Sequence, residues 1–507
     1  MNKSYLYLMV VCAVLNFCTV SEAQTPNIPQ IPQPLHPSRI GGSSSITNRT
    51  FSNPTKQIKM GATANDLLKQ AQAANPYYGY GNTPAENQKV NEARIRMQMA
   101  NDPAYNPSLR NATANRNMTH KNLEILLQDI IIQENQRIKS SRQTGPDYKP
   151  DKSPSQQTMA YSKALDALKD MLTGKRNISL ADAYFLMEDA FGDPYLNEGE
   201  YKKIINQSVQ FIKKWMTQNS LNTRDNSAIN YAVQQFMGKE IHIYETVQNT
   251  EGLPAITTKV HKPFLYDYID YAGEKDHRNY FLTKCLATGM GQCNSLPAVY
   301  LVLVEALGGK AHLAMAPQHA LIKYPDKDGT MRNYEPTSNW VISDQWYLEH
   351  LFITPKAIAS GIYLTPYNKK QIIADIVLQL TYGYFRKFGA ADHHFIHEAI
   401  NLAKSQFPKD NNIAVYFSYS NLYAYQLAQV MRKHSIPTVD DIARYPEAQN
   451  IYKKWVINEQ KITQLGYQEI PEALYETMLR TQEFRGQQQE ELNIDGKVKR
   501  SQFIHIK

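Results

Sequence analysis

The hydrophobic positions of this chain show one especially regular stretch in the middle of the sequence. Six residues there follow the i, i+3, i+4 spacing of one helix face, namely Leu296, Val299, Tyr300, Leu303, Val304 and Leu307. The spacing predicts a buried helix that begins near Cys293, with Pro297 in the first turn, where a missing N–H costs least. Gly308 and Gly309 predict its end. A shorter helix is predicted over residues 280–286, and residues 288–291 separate the two helices.

Strand-like segments lie on both sides of this helix. Three follow it, over residues 311–316, 319–324 and 331–336, and residues 326–329 provide the turn between the last two. Ahead of it, Ile241 and Ile243 flank a polar residue, and residues 256–260 predict the second strand of a hairpin across residues 252–254. The order of helix and then antiparallel strands predicts an α+β fold.

Helical periodicity dominates much of the remaining chain. Ser179, with Asp182 three residues later, predicts a capped helix start, and residues 201–215 carry another buried stripe. Beyond residue 345 we predict helices over residues 371–388, 394–405, 412–432 and 471–484. These paired amphipathic helices weakly resemble tetratricopeptide-type hairpins, although no repeat period is sustained. They predict an α-helical, repeat-like domain over residues 346–507 that binds a protein partner.

The first 157 residues have a different character. Lys3, an apolar run over residues 6–14 and a small-x-small site ending at Ala23 predict a signal peptide over residues 1–23. The run is shorter than the roughly 20 residues of a membrane span, so an uncleaved anchor is set aside. Residues 24–157 are rich in Pro, Asn and Gln, which predicts a largely disordered tether with a helix near residues 121–138. We therefore expect a secreted or periplasmic protein without an integral membrane span.

Composition sets further bounds on function. The chain has 507 residues, 42% of them hydrophobic, and a formal net charge of +8 at pH 7. Because this charge is spread without a long Lys/Arg run, it lacks the focused basic face that phosphate binding needs, and we expect no nucleic-acid partner. The length suits several cores, and the compact part is predicted as a domain over residues 158–345 followed by the helical domain over 346–507.

Cysteine usage bears on the chemistry. Cys12 and Cys18 leave with the predicted signal peptide, so the mature chain keeps only Cys285 and Cys293. In an oxidising compartment these two can form a bridge that closes a short loop. The alternative is a free thiol that the protein uses.

Cys293 lies where a nucleophile is favoured, because the N–H groups and positive dipole end of a helix N-terminus stabilise a thiolate. His319 begins one predicted strand and Glu335 ends the next. A hairpin turn at residues 326–329 brings both side chains to the same open end, where a carboxylate can orient the imidazole that acts as base. The sequence therefore predicts a catalytic triad of Cys293, His319 and Glu335.

The segments over residues 291–297, 307–309, 317–319 and 333–337 resemble the motifs of the bacterial transglutaminase-like proteins, whose core has the papain-like fold. The resemblance covers residues 160–345. It implies helices packed on an antiparallel sheet, Cys293 as nucleophile, His319 as base, and Glu335 where the family usually has Asp. In most bacterial members the implied reaction is amide hydrolysis rather than crosslinking.

Backbone donors near Cys293 are expected to hold the oxyanion, with Gln292 and Asn294 as candidate supporting residues. The position of Gln292 directly before the cysteine departs from the usual papain-like arrangement. A competing site lies at residues 392–398, where His393 and His397 are one helical turn apart and suit zinc. No third ligand can be named there, and a polar helix start is the alternative.

These features together predict an exported cysteine-dependent amide-bond hydrolase, either a peptidase or an amidase, or an acyl transferase working through a thioester. The expected substrate is a protein, a peptide or a cell-envelope polymer, and the reaction needs no metal or organic cofactor. The alternative is a catalytically inactive transglutaminase-like scaffold that binds a protein or an envelope polymer.

Overall fold

The computed structural model describes residues 154–468, except 249–252, 274–275 and 352, together with residues 123, 124, 127 and 130. The predicted signal peptide, most of the predicted tether and the helix predicted over residues 471–484 lie outside the described residues. The four separate positions are helical, as predicted for residues 121–138, and Leu123, Leu127 and Ile130 are buried in the hydrophobic core. These three side chains therefore pack within the folded body.

Four helices open the continuous part of the structure. They are α1 (Pro154–Thr173), α2 (Leu180–Phe191), α3 (Glu198–Gln218) and α4 (Asn226–Gly238). The predicted cap of α2 is confirmed, because the Ser179 hydroxyl accepts a hydrogen bond from the Asp182 N–H at 3.1 Å. The stripe predicted over residues 201–215 is also confirmed, since Tyr201, Ile212 and Trp215 are buried.

A two-stranded antiparallel hairpin follows these helices. Its strands are β1 (Ile241–Gln248) and β2 (Pro254–His261). Ile243 lies opposite Lys259, so the predicted hairpin is confirmed, with longer strands than expected. On the outer edge of β1, α3 satisfies the backbone of one residue, because the Gln218 side chain donates to the Tyr244 carbonyl at 2.6 Å and accepts from the Tyr244 N–H at 3.1 Å.

The centre of the protein is built around one buried helix. The chain passes through β3 (Leu265–Tyr266), a 3-10 turn (His277–Tyr280), α5 (Leu282–Thr288), β4 (Met290–Gly291) and α6 (Ser295–Ala306). All six residues of the predicted stripe on α6 are buried, but so are Ala298, Leu301 and Val302 on its other faces. The helix is therefore enclosed on every side, and its apolar surface is wider than the stripe predicted.

The end of α6 lies where its glycines predict. Gly308 has a φ of 83°, and the Gly309 N–H bonds the Val304 carbonyl at 2.9 Å, which is the bonding pattern of a Schellman motif. The helix predicted over residues 280–286 is displaced, because residues 277–280 form the 3-10 turn and α5 begins at Leu282.

A four-stranded antiparallel sheet follows α6, in the order β5-β6-β7-β8. Its strands are β5 (His312–Ala316), β6 (His319–Pro325), β7 (Met331–Glu335) and β8 (Trp340–Ile342). The first three match the predicted strands. The outer edge of β5 is covered by a later segment, since the Leu364 and Tyr367 amides donate to the Met315 and Leu313 carbonyls, each at 2.8 Å.

The remaining described chain is helical. It comprises α7 (Asp344–His350), α8 (Pro355–Ser360), α9 (Lys369–Phe388), α10 (His393–Lys404), α11 (Ile413–Lys433), a 3-10 turn (Val439–Arg444) and α12 (Pro446–Gln464). The helices predicted over residues 371–388, 394–405 and 412–432 are confirmed to within two residues. Every helix in the described part of the chain is too short or too polar to cross a lipid bilayer.

The helices after the sheet share one hydrophobic core with the elements before it. Buried residues from Leu123 to Leu465 form a single cluster, and α9 packs against α1 and α2. The Tyr161 and Tyr384 rings, for example, meet edge to face at 5.3 Å. The protein is thus a mixed helix and sheet fold. The domain boundary predicted between residues 345 and 346 lies within this shared core.

Candidate active site

Cys293 lies in a short loop between β4 and α6. β4 pairs in parallel with β3, and the Asp267 N–H donates to the Gly291 carbonyl at 2.8 Å. A Cβ at Gly291 would lie 2.7 Å from both Cys285 Sγ and Ser295 Oγ, so no larger residue fits there without a shift. Because α6 begins at Ser295, Cys293 precedes the helix by two residues instead of opening it. Its side chain is partly exposed.

A buried polar network holds this loop from behind. The Ser295 hydroxyl accepts from the Gln292 N–H at 3.0 Å and donates to the Asn279 carbonyl at 3.3 Å. The Asn279 side chain in turn accepts from the Lys284 ammonium, which also bonds the Asp267 carboxylate at 2.6 Å. All five residues are buried, so the network is shielded from water and strengthened by its low-dielectric surroundings. The motif around Cys293 gave no sign of Lys284 or Asp267, because only the fold brings them together.

The turn before β6 fixes the position of His319. Pro317 and Gln318 form a two-residue connection between β5 and β6, with Ala316 paired to His319. Gln318 has a φ of 55°, and a positive φ directly after proline is the pattern of a type II turn. His319 is therefore the first residue of β6, as predicted.

The sheet brings His319 and Glu335 together. In the register of β6 and β7, Ile322 lies opposite Tyr334, which places His319 and Glu335 diagonally on the same face. His319 Nε2 and Glu335 Oε2 are 2.6 Å apart. His319 and Glu335 thus meet at the open end of the hairpin, and the longer Glu side chain reaches the imidazole.

Glu335 is held by three further groups. Its Oε2 accepts from the Tyr347 hydroxyl at 3.0 Å, while its Oε1 accepts from the Thr337 hydroxyl at 2.8 Å and from the Thr337 N–H at 3.3 Å. Burial favours the neutral acid, but His319 and Thr337 outweigh it and hold the pKa of Glu335 below its ordinary value. Sequence reasoning missed both supporting residues. Thr337 could have been predicted, because its hydroxyl lies only two residues after the acid. Tyr347 could not, because it belongs to α7 and reaches Glu335 only in the folded chain.

The pKa of His319 is changed strongly by the groups around it. Burial opposes its charge, but the Glu335 carboxylate and the neighbouring Cys293 side chain outweigh burial and raise the pKa of His319 to about 10. Because Nε2 bonds Glu335, Nδ1 is the nitrogen left for the thiol. The structure therefore brings all three residues of the predicted triad into one chain of contacts.

Gln292 and Asn294, the two candidate supporting residues, lie on either side of Cys293. Gln292 is fully buried, and its Oε1 accepts from the Asn294 N–H at 2.5 Å. Its Nε2 has no hydrogen-bond partner among the described residues, and neither has the Cys293 N–H. The loop thus contains two donors without a partner among the described residues, one of them on the fully buried Gln292 side chain. The Asn294 N–H is already engaged, and its side chain makes no capping bond.

Cys285 lies behind the loop, on α5. It forms no bridge with Cys293 in this structure, where both thiols are free. Burial raises the pKa of the Cys285 thiol to about 12, so it stays protonated at physiological pH. The two cysteines therefore differ sharply in environment.

The competing site at residues 392–398 forms the start of α10. Asp392 caps this helix by accepting from the Phe395 N–H at 2.9 Å. His393 Nδ1 lies 2.9 Å from the Gln426 amide, and His397 Nδ1 lies 2.8 Å from the Asn401 amide. The described residues include no group of three or more His, Cys, Asp or Glu side chains arranged to hold a metal ion. The geometry favours the polar helix start that was the alternative.

The arrangement around Cys293 suits acyl transfer. It combines a partly exposed thiol, a neighbouring imidazole, a carboxylate behind the imidazole and a backbone N–H of Cys293 that is unpaired among the described residues, which are the parts that thioester chemistry requires. Comparisons with protein-family models, with curated proteins and with solved structures found no match to this chain.

Proposed function

We propose that this protein is an exported cysteine-dependent amide-bond hydrolase or acyl transferase, built on a papain-like core of the transglutaminase type. The single observation that carries the proposal is the 2.6 Å contact between His319 and Glu335 on the face that also meets the Cys293 thiol. A nucleophile, a base and an orienting acid from three different elements rarely meet by chance in a buried site. The enclosed helix α6 beside the sheet β5–β8 supports the papain-like assignment.

The mechanism follows from the position of each group. In the resting site His319 holds the proton of the Cys293 thiol as an imidazolium, and the thiolate attacks the carbonyl carbon of the scissile amide. The tetrahedral oxyanion is stabilised by the Cys293 N–H, which has no hydrogen-bond partner among the described residues, and the buried Gln292 side chain positions this loop by accepting from the Asn294 N–H. His319 then gives its proton to the leaving amine, which leaves a thioester on Cys293.

Water or an amine resolves this thioester. In hydrolysis, His319 takes a proton from the attacking water, the carbon–sulfur bond breaks, and the thiolate leaves with the carboxylic acid product. Glu335 remains ionised throughout, and it fixes the tautomer and orientation of the imidazole. The predicted signal peptide supports an extracytoplasmic protein, peptide or envelope-polymer substrate.

The test is the rate of iodoacetamide alkylation of each cysteine against pH, followed by mass spectrometry in the intact protein. We expect Cys293 to react rapidly even at pH 6.5, where a free thiol with a pKa of about 8.5 is almost entirely protonated. Cys285 serves as the internal control, since its buried thiol should label only after denaturation. In His319→Ala the fast reaction of Cys293 should disappear.

Slow alkylation of Cys293 would contradict the proposal. If Cys293 labels slowly at pH 6.5 and the rate does not change in His319→Ala, the contact has no chemical consequence, and the inactive scaffold replaces the enzyme as the better account. Because Gln292→Ala leaves the Cys293–His319 contact in place, it should label normally while losing turnover of an amide substrate. That variant separates activation of the thiol from stabilisation of the oxyanion.

A further inference from the structure

The hairpin formed by β1 and β2 exposes an unusual amount of apolar surface. Of the nine large hydrophobic side chains that are exposed among the described residues, five lie on or directly beside it: Tyr244, Val247, Leu253, Ile256 and Val260. Ile256 is 76% exposed, Tyr244 56% and Val260 40%. Tyr244, Ile256 and Val260 share one face, because β1 and β2 pair Tyr244 with Thr258 and alternate from there.

The two edges of this hairpin differ. Gln218 bonds both the N–H and the carbonyl of Tyr244, so these two groups point away from β2. The pair formed by Tyr244 and Thr258 is consequently not hydrogen-bonded across the ladder, and the backbone groups of Thr258 also point outward, on the far side of β2. By the same alternation, the backbone groups of Ile256 and Val260 point outward too.

β2 therefore presents three consecutive N–H and C=O pairs at the spacing of a β-ladder. Among the described residues no hydrogen bond satisfies these outward groups of Ile256, Thr258 and Val260. Proteins usually protect such an edge with an outward charge, a proline or a covering segment. At these three positions β2 carries none of these, whereas Gln218 bonds the outward groups of Tyr244 on β1, and residues 364 and 367 bond the edge of β5.

The other face of β2 is electropositive. Lys259 lines the groove between the hairpin and α3, whose lining has a single acid, Glu245, and five lysines: Lys202, Lys203, Lys213, Lys214 and Lys259. Glu245 bonds the ammonium groups of Lys259 and Lys214, at 2.6 and 3.0 Å, and Lys202 pairs with Glu198 and Asp182, so the positive charge in excess is that of Lys203 and Lys213. A strand placed beside β2 would turn alternate side chains towards Lys259 and towards the apolar face.

We propose that the free edge of β2 binds an extended segment of a partner polypeptide in which apolar and acidic residues alternate. Only a polypeptide backbone presents donors and acceptors that match three ladder positions in a row. The apolar residues of the segment pack beside Ile256 and Val260, while its acidic residues face Lys259 and the groove. This binding surface is separate from the chemistry of Cys293 and does not depend on it.

The test uses the full chain and a fluorescein-labelled nonapeptide of alternating valine and glutamate, with binding read by fluorescence anisotropy. Thr258→Pro removes one outward N–H and leaves the ladder between β1 and β2 intact, so it should weaken binding about tenfold. Thr258→Val keeps the N–H and is the matched control, with affinity expected within about twofold of the natural protein. A peptide of alternating valine and lysine should bind at least tenfold more weakly than the glutamate peptide.

Ile256→Ser is a second variant that leaves the backbone unchanged, and it keeps the test informative if Thr258→Pro fails to fold by circular dichroism. We expect it to weaken binding several-fold. The proposal is overturned if the glutamate peptide binds no better than the lysine peptide, or if Ile256→Ser and Thr258→Pro both bind as tightly as the natural protein. It is equally overturned if the natural chain is a dimer that Thr258→Pro converts to a monomer, since a second copy then occupies the edge.

Discussion

Replacing Glu335 by glutamine removes one negative charge from the buried pair and leaves the shape of the side chain almost unchanged. His319 then keeps a hydrogen-bond partner but loses the carboxylate that stabilises its positive charge. The pKa of His319 rises from 6.5 to about 10 in the folded protein, which corresponds to ~5 kcal/mol in favour of the imidazolium. Without Glu335, burial is opposed mainly by Cys293, and we expect the pKa of His319 to fall well below its value in the natural protein.

The stability of the protein should change in a pH-dependent way. The pKa of His319 is higher in the folded than in the unfolded chain, so its contribution is complete below about pH 6.5 and is lost as the pH rises towards 10. The pKa of Glu335 is lowered, so its contribution is present above about pH 4.5 and is lost in more acidic solution. Glu335→Gln should therefore reduce the free energy of unfolding by ~3–5 kcal/mol near pH 6, and by progressively less towards pH 10.

The direct assay is a histidine NMR titration, with the His319 signal assigned by its loss in His319→Ala. In the natural protein this signal should keep the chemical shift of an imidazolium from pH 5 to 8.5. His261 and His277 provide an internal reference, because burial lowers the pKa of each to about 3 and they stay neutral over that range. A His319 that titrates near pH 6.5 in the natural protein, or that titrates identically in Glu335→Gln, would refute the reasoning.

Three other changes have defined expectations. Tyr347→Phe removes the 3.0 Å hydrogen bond to Glu335. It should lower the free energy of unfolding, measured by chemical denaturation, by about 1–2 kcal/mol. The range of acidic pH over which Cys293 is alkylated rapidly should become narrower. Gly291→Ala places a Cβ 2.7 Å from Cys285 Sγ, and should lower stability by about 1–3 kcal/mol in the same assay. Burial raises the pKa of Glu188 to about 7, so this carboxyl takes up a proton on folding between pH 4.5 and 7. Relative to Glu188→Gln, the natural protein should therefore gain stability, measured by urea unfolding, as the pH falls from 8 to 5.

Local patterns were enough to predict the elements that hold the candidate triad. The apolar spacing of α6 marked it as buried, because an enclosed helix still shows the periodicity of its most tightly packed face. The strands carrying His319 and Glu335 were predicted because a short polar turn separates two runs of strand-forming residues. Their diagonal contact then follows from the geometry of any antiparallel hairpin.

The sequence could not show the features that depend on contacts between distant segments. α4 was not predicted, although Asp225 caps it, because its apolar residues face several elements at once and form no single stripe. The bond from Tyr347 to Glu335 and the buried pair of Lys284 and Asp267 arise only when the chain folds. A periodic pattern reports which face of an element is buried, but not which element covers it.

The segment that covers the edge of β5 has a consequence for the history of this fold. Leu364 and Tyr367 bond the same strand that leads, through Pro317, into His319. A chain that ended at residue 345 would leave that edge open and remove α9 from α1 and α2. The part that carries the candidate triad and the helical part therefore depend on each other for a closed sheet edge and a complete core, and we expect them to be inherited together.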